Sequence, residues 1–314
     1  MHRVREQIGC APYLDLNFRM NSFPGEAANH HKGIVVAVLD TGMAFHPDLQ
    51  ENIILFRDFV NDNHLAYDDN GHGTHVCGIL AGSGLASLGK YQGIAPNTKL
   101  LVLKVLDKNG DGNLDTMIIA LDWILANYMD YDIRIVNISV GVGTMMNPEK
   151  EKRLRNKLEQ IWHCGMLVVC AAGNNGPALN SLSDIGKSPY LITVGCHDGD
   201  YFKDREDRCE FYSAKGDRYS SVRKPDIVAP GTQIISCNAG FKKTPKGYLH
   251  AYRAKSGTSM ATPIVSGALA LLLETNRKYA NEAAKRKLLY SATDLYEPWY
   301  QQGWGMVNIK RLLE

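Results

Sequence analysis

Ile34-Val35-Val36-Ala37-Val38-Leu39-Asp40-Thr41-Gly42 is the stretch that decides the fold. A strand with one wet face alternates apolar and polar residues. This run is unbroken and rich in β-branched residues, as expected of a strand buried on both faces of a parallel sheet. The run stops at a carboxylate, Asp40, and a Thr41-Gly42 turn. In open α/β sheets ligand sites gather beyond the carboxyl ends of the strands, which makes Asp40 the first candidate functional residue.

The pattern repeats outward from that strand. Leu100 to Leu106, Ile133 to Ile138 and Met166 to Cys170 read as further strands, followed by stretches near 190–195 and 226–236. Helical spacing falls between them: Leu114 to Tyr128 presents Ile118, Leu121, Trp123 and Leu125. A charged amphipathic helix opens at Pro148 with Asn147 as cap, and another helix covers Asn281 to Tyr290. Such alternation predicts an α/β fold of three αβα layers around a mainly parallel central sheet. No linker or internal repeat divides it, so residues 31–314 are expected to form one domain behind an N-terminal extension, 1–30.

Three further segments carry chemistry. Ser256-Gly257-Thr258-Ser259-Met260-Ala261-Thr262-Pro263 delivers Ser259 to the start of an apolar helix, where free backbone N–H groups and the helix dipole favour negative charge. A serine there can attack a carbonyl whose developing oxyanion those amides stabilise; the same octapeptide on its own reads first as a helix cap. Asp68-Asp69-Asn70-Gly71-His72-Gly73-Thr74-His75 is a polar turn entering a helix, and a histidine at that position is disfavoured from protonation by the dipole and available as a base. Finally, the strand ending at Cys170 runs into Ala171-Ala172-Gly173-Asn174-Asn175-Gly176, which on its own is a Gly/Asn turn.

Together these segments resemble the subtilisin-like serine proteases, or subtilases, whose motifs surround an Asp, a His and a Ser in this chain order. The resemblance implies a subtilisin-like fold and serine endopeptidase activity. Ser259 would be the nucleophile, His72 the general base and then acid, Asp40 its orienting carboxylate, and Asn174 the side-chain donor to the oxyanion. Substrate would bind as an extended peptide between two edges. Gly110, Asp111, Gly112 and Leu114 supply one; Ser139, Val140, Gly141 and Val142, with Ala172 and Gly173, supply the other and the pocket wall. Val142 stands where many relatives have glycine, which narrows that pocket toward medium apolar residues. The alternative is a catalytically silent, peptide-binding member of the family.

No cofactor is needed for this chemistry. The resemblance implies one structural cation site, a calcium held by the carbonyls of Pro189 and Leu191 and the carboxylate of Asp226; a carboxylate hydrogen-bonded only to protein groups is the other reading. Asp48 also matches a family calcium ligand, but the Gly84 to Gly89 stretch lacks the partner carboxylates and amides, so Asp48 reads as structural. Gly84 to Tyr91 has the spacing of a phosphate-binding loop, yet it follows a helix and places Tyr91 where a Ser or Thr is required.

Composition excludes other classes. The 314 residues are 45% apolar with a formal net charge of +2. The basic run Lys242-Lys243-Thr244-Pro245-Lys246 is short and reads as a solvated loop rather than a nucleic-acid surface. No eighteen consecutive apolar residues offer a membrane span. The seven cysteines, odd in number and without C-x-x-C spacing, read as reduced thiols of a cytoplasmic protein. About thirty residues precede the Asp40 strand, too few for a folded inhibitory prodomain. That is the character of the intracellular bacterial subtilases, or of a secreted chain already processed. Residues 1–30 are expected to act as a short tether across the active site.

Overall fold

The computed structural model describes residues 1–10, 33–140, 148–202 and 206–314. Strand β1 (Val35–Asp40) is buried along its whole length. On one side it pairs in parallel with β3 (Lys99–Lys104), Asp40 opposite Lys104. On the other it pairs in parallel with β4 (Ile133–Ile138), Leu39 opposite Ile138. The sheet has seven strands in the order β2-β3-β1-β4-β5-β6-β7, with β2 at Ile53–Asp58, β5 at Leu167–Ala171, β6 at Ile192–Cys196 and β7 at Ile227–Ala229. The chain therefore goes one way from β1 and returns to build the other half. The crevice at the carboxyl end of β1 is the switch point where such sheets bind ligands.

Burial on both faces requires helices on both. Helices α2 (His72–Ala81) and α5 (Thr258–Thr275) pack against each other and onto the strands, while α3 (Leu114–Asn127) packs with α4 (Pro148–His163). The cap of α3 is Asn113, whose side chain accepts from Asp115 N; the predicted cap of α4, Asn147, lies outside the described residues. Among those residues α5 alone is long and apolar enough to cross a membrane, and 83% of that window is buried in the protein.

Three elements depart from expectation. Edge strand β2 (Ile53–Asp58) is only partly covered, so its short mixed run carries no two-faced burial signal. The stretch 226–236 divides at Pro230-Gly231: β8 (Ile234–Cys237) leaves the main sheet to pair antiparallel with β11 (Tyr252–Lys255). The basic run expected as a loop is a hairpin, β9 (Lys242–Thr244) against β10 (Gly247–Leu249), exposed enough to leave its lysines solvated.

The reading of seven reduced thiols is corrected. Cys196, ending β6, is bonded to Cys209, with their Cα atoms 5.6 Å apart. That separation is within bridging range, and it is created by tertiary packing of a loop rather than by sequence spacing. The other five cysteines are free. Asp48 accepts from Tyr252 Oη at 2.7 Å and Ala86 N at 2.8 Å.

Residues 1–10 dock on the body. Helix α1 (His2–Gln7) sends Arg3 to the Thr232 carbonyl and Gln7 to the Asp198 carbonyl, and Ile8 O accepts from Ile309 N at the start of the C-terminal helix. These anchors involve none of Asp40, His72, Asn174 or Ser259; residues 11–32 lie outside the described residues.

Candidate active site

Asp40 ends β1 with its side chain fully buried, and its Oδ1 accepts from Thr41 N and from His72 Nδ1, both at 2.7 Å. His72 is the first residue of α2. The turn that puts it there is organised by Asp68, which accepts from Gly71 N (2.7 Å), Thr74 N (2.8 Å), Thr74 Oγ1 (2.6 Å) and Thr41 Oγ1 (2.8 Å). One carboxylate thus ties the His72 turn to the residue after Asp40. Burial alone would raise the Asp68 pKa, but the bonds from Thr74, Gly71 and Thr41 hold it below the ordinary value. Gly73 is required for the close approach, because a Cβ there would collide with the Gly42 carbonyl and lie 3.1 Å from Asp40 Oδ1.

The His72 titration differs from the expectation based on the helix start. Burial lowers its pKa, but the charge and hydrogen bond of Asp40 outweigh burial and the nearby Lys255, and the net shift is upward. A carboxylate at hydrogen-bond distance acts more strongly than a partial dipole charge. Since the Asp40 carboxylate can only accept, Nδ1 carries the proton, and in the neutral ring Nε2 is the basic nitrogen.

Ser259 is the second residue of α5, following Gly257 and Thr258. Gly257 has φ 143°, a conformation that side-chain-bearing residues rarely adopt, and this turn re-aims the chain from β11 into the helix. Asn174 reaches the same turn: its Oδ1 accepts from Thr258 N and Thr258 Oγ1, each at 3.1 Å. A backbone N–H can only donate, so the amide is oriented with oxygen toward Thr258 and its NH2 is the end available to a ligand. Asn174→Ala is expected to lower kcat about 10²- to 10³-fold with KM little changed, as for loss of one oxyanion donor; steady-state kinetics on a peptide amide would check it.

His75, one turn along α2, braces this arrangement. Its Nε2 lies 3.0 Å from both the Ile234 and Arg253 carbonyls, tying α2 to the β8–β11 pair that leads to Ser259. Burial, then the charge of Lys255, push His75 down to about 3. The unfolded chain binds this proton near pH 6.5 and the folded one does not, so stability is present above 6.5 and lost as pH falls toward 3. The loss from this residue is about 2 kcal/mol by pH 5. Guanidinium unfolding at pH 7.5 and 5, in Ser259→Ala chains to prevent autolysis, should show His75→Gln with a shallower decline than its parent.

The predicted substrate edges are tied to the elements that carry these groups, one to the His72 turn and one to α5. In the first, Asp107 Oδ1 accepts from Asn109 N and Asp111 N, and Gly112 bridges to Leu106. Asn70 Nδ2 donates to the Lys108 carbonyl, docking this loop on the His72 turn. Asp111 and Gly112 are exposed and Leu114 is buried. On the other edge, Ser139 and Val140 are buried, with Asn137 Nδ2 donating to Ser139 Oγ and Ser266 Oγ donating to Asn137 Oδ1. That buried chain of bonds links α5 to the strand behind the edge. Gly173 O accepts from Ala214 N, and Ala172 N donates to Val194 O. Gly141 and Val142 lie outside the described residues.

Sequence reasoning missed Asp68 and Lys104. Lys104 is fully buried and donates to Thr41 O (2.6 Å), Leu106 O (2.8 Å) and Asp69 Oδ1 (2.8 Å), pinning the turns that follow Asp40 and precede His72. A lysine inside an otherwise apolar strand run was its only signal.

A profile described as the subtilase family matches residues 31–305. Serine protease AprX of Bacillus subtilis (strain 168) is 38% identical over 281 residues, 85% of this chain and 62% of that protein. The intracellular serine protease of Paenibacillus polymyxa is 34% identical, covering 82% of this chain and 70% of the relative. Among solved structures, sphericase superposes with a TM-score of 0.74 at 26% identity, over 92% of this chain and 95% of its own. With its parallel sheet, its paired Asp40 and His72 and its glycine-turned Ser259, the chain belongs to the subtilase family.

Proposed function

We propose that the protein is a serine endopeptidase that cleaves extended peptide substrates through an acyl-enzyme on Ser259. The observation that carries the reading is the Asp40 Oδ1 to His72 Nδ1 contact at 2.7 Å. It fixes the tautomer that leaves Nε2 as base, at the start of a helix packed against the helix that presents Ser259. In this mechanism Nε2 takes the Ser259 hydroxyl proton as Oγ attacks the scissile carbonyl. The Ser259 N–H and the Asn174 NH2 stabilise the oxyanion, being fixed in place before charge develops. Collapse breaks the C–N bond while His72 returns its proton to the leaving amine. Water, deprotonated by the same nitrogen, then hydrolyses the ester and regenerates Ser259.

A backbone hydrogen-bonded peptide between the Gly110–Gly112 and Ser139–Val140 edges positions the carbonyl. The exposed carboxylate of Asp111 supports a preference for basic residues upstream of the cut. A fluorophosphonate probe is expected to label the protein and to leave Ser259→Ala unlabelled. A folded chain that resists the probe would instead be a silent peptide binder.

A further inference from the structure

Two ammonium groups meet one carboxylate below the 189–191 segment. Lys285, on α6 (Asn281–Tyr290), donates to the carbonyls of Pro189 at 2.8 Å, Tyr190 at 3.0 Å and Leu191 at 2.9 Å. Its nitrogen lies 3.1 Å from Asp226 Oδ1 and 5.6 Å from the centroid of the Trp162 ring, and its side chain is 11% exposed. From the other side Lys224 donates to Leu191 O at 2.8 Å, to Thr193 Oγ1 at 3.2 Å and to Asp226 Oδ2. Thr193 N also donates to Asp226 Oδ2, at 2.7 Å.

Pro189 O, Leu191 O and Asp226 are the three ligands that the family resemblance assigns to a calcium ion, and here they do not fit one. Calcium needs six to eight oxygens at about 2.3–2.6 Å, most of them free to face the ion. Each of these oxygens already faces an ammonium. The Lys285 nitrogen has three N–H bonds and three carbonyls to receive them, with Asp226 beside it to balance the charge. A divalent ion placed there would add two positive charges between two existing ones in a site with one carboxylate.

We infer that Lys285 is a resident cation standing in place of calcium, so that the chain holds this corner of its fold with a side chain instead of a metal. The ammonium belongs to α6, and α6 is anchored at its first turn by Asn281 Nδ2, which donates to the Trp162 and Met166 carbonyls. Lys285 therefore clamps α6 to the entry of β6 and to Asp226, at the head of β7, without depending on the concentration of any ion.

Because the clamp is independent of proteolysis, its test uses the full chain carrying Ser259→Ala, in which autolysis cannot imitate unfolding. Thermal melting is followed in EDTA and in millimolar calcium chloride, for that parent, with added Asp226→Asn, and with added Lys285→Met. Terbium(III) serves as a luminescent calcium substitute that Trp162 would sensitise. The expected result is that Asp226→Asn removes no calcium-dependent rise in Tm and no terbium emission, because the parent has none at this site. Lys285→Met, which removes the ammonium from the Pro189 and Tyr190 carbonyls and leaves Asp226 with Lys224 as its remaining cation, should lower Tm by roughly 5 °C or more even in EDTA. Calcium stabilisation or terbium emission that Asp226→Asn abolishes would overturn the inference, as would a Lys285→Met chain that melts with its parent. If Asp226→Asn does not fold, the Lys285→Met melt decides alone.

Discussion

Ser259→Ala and His72→Ala are each expected to lower kcat on the order of a million-fold, the loss known for removing either partner from the subtilisin triad itself. The size follows from the dependence of each group on the other. A serine hydroxyl is a weak nucleophile at neutral pH until a base takes its proton, and a base with nothing to deprotonate contributes no covalent path. The double variant should therefore be about as active as either single one, its residual rate coming from the oxyanion donors and from substrate positioning. Single-turnover assays on an activated ester and a peptide amide would measure this, with fluorophosphonate labelling to titrate the parent and to exclude parent enzyme from the variant samples. Residual amide turnover above about one per cent in either single variant would remove that residue from the chemistry. A double variant far below both singles would show that the two act independently.

The parallel sheet was legible because β1 and β5 are buried on both faces and so carry apolar runs, a signal that survives without any neighbouring strand; β4 shows it more weakly, its run being broken by Arg134 and Asn137. Edge strand β2 has one neighbour and partial cover, so it leaves no such trace. Asp40, His72 and Ser259 were legible for a different reason: each sits at a strand end or helix start inside a long motif. The groups that make those positions exact in space were not. Asp68 acts through five protons from Thr41, Asn70, Gly71 and Thr74, and an aspartate in a polar turn reads as any solvated turn residue until those donors converge. The roles of Lys104 and Lys285 are hidden for the same reason, since what fills a lysine's three N–H bonds is decided by carbonyls that tertiary structure supplies. The Cys196–Cys209 bond likewise depends on a loop returning beneath β6, which no spacing rule contains.

Asp40→Asn is expected to lower kcat on the order of ten-thousand-fold while leaving the fold and KM nearly intact. The geometry indicates how the loss arises. Thr41 N can only donate, so the amide oxygen of the substituted side chain should keep the Oδ1 position that now accepts from both Thr41 N and His72 Nδ1. Retained there, it preserves the Nδ1-protonated tautomer, and what disappears is the negative charge that stabilises the imidazolium formed as Ser259 is deprotonated. The same charge is what raises the His72 pKa against burial. Activity requires neutral His72, so in the parent kcat/KM should rise with pH through a limb above 6.5. Removing the charge should move that limb to lower pH while the plateau falls. The amide turned the other way, with nitrogen toward Nδ1, would force the opposite tautomer, and catalysis would then fail at every pH with no measurable limb to displace. A pH profile of kcat/KM for Asp40→Asn separates the two: a displaced limb assigns the loss to charge, a featureless residual rate assigns it to the tautomer, and a limb unmoved from the parent's would mean that Asp40 is not the group that sets the basicity of His72.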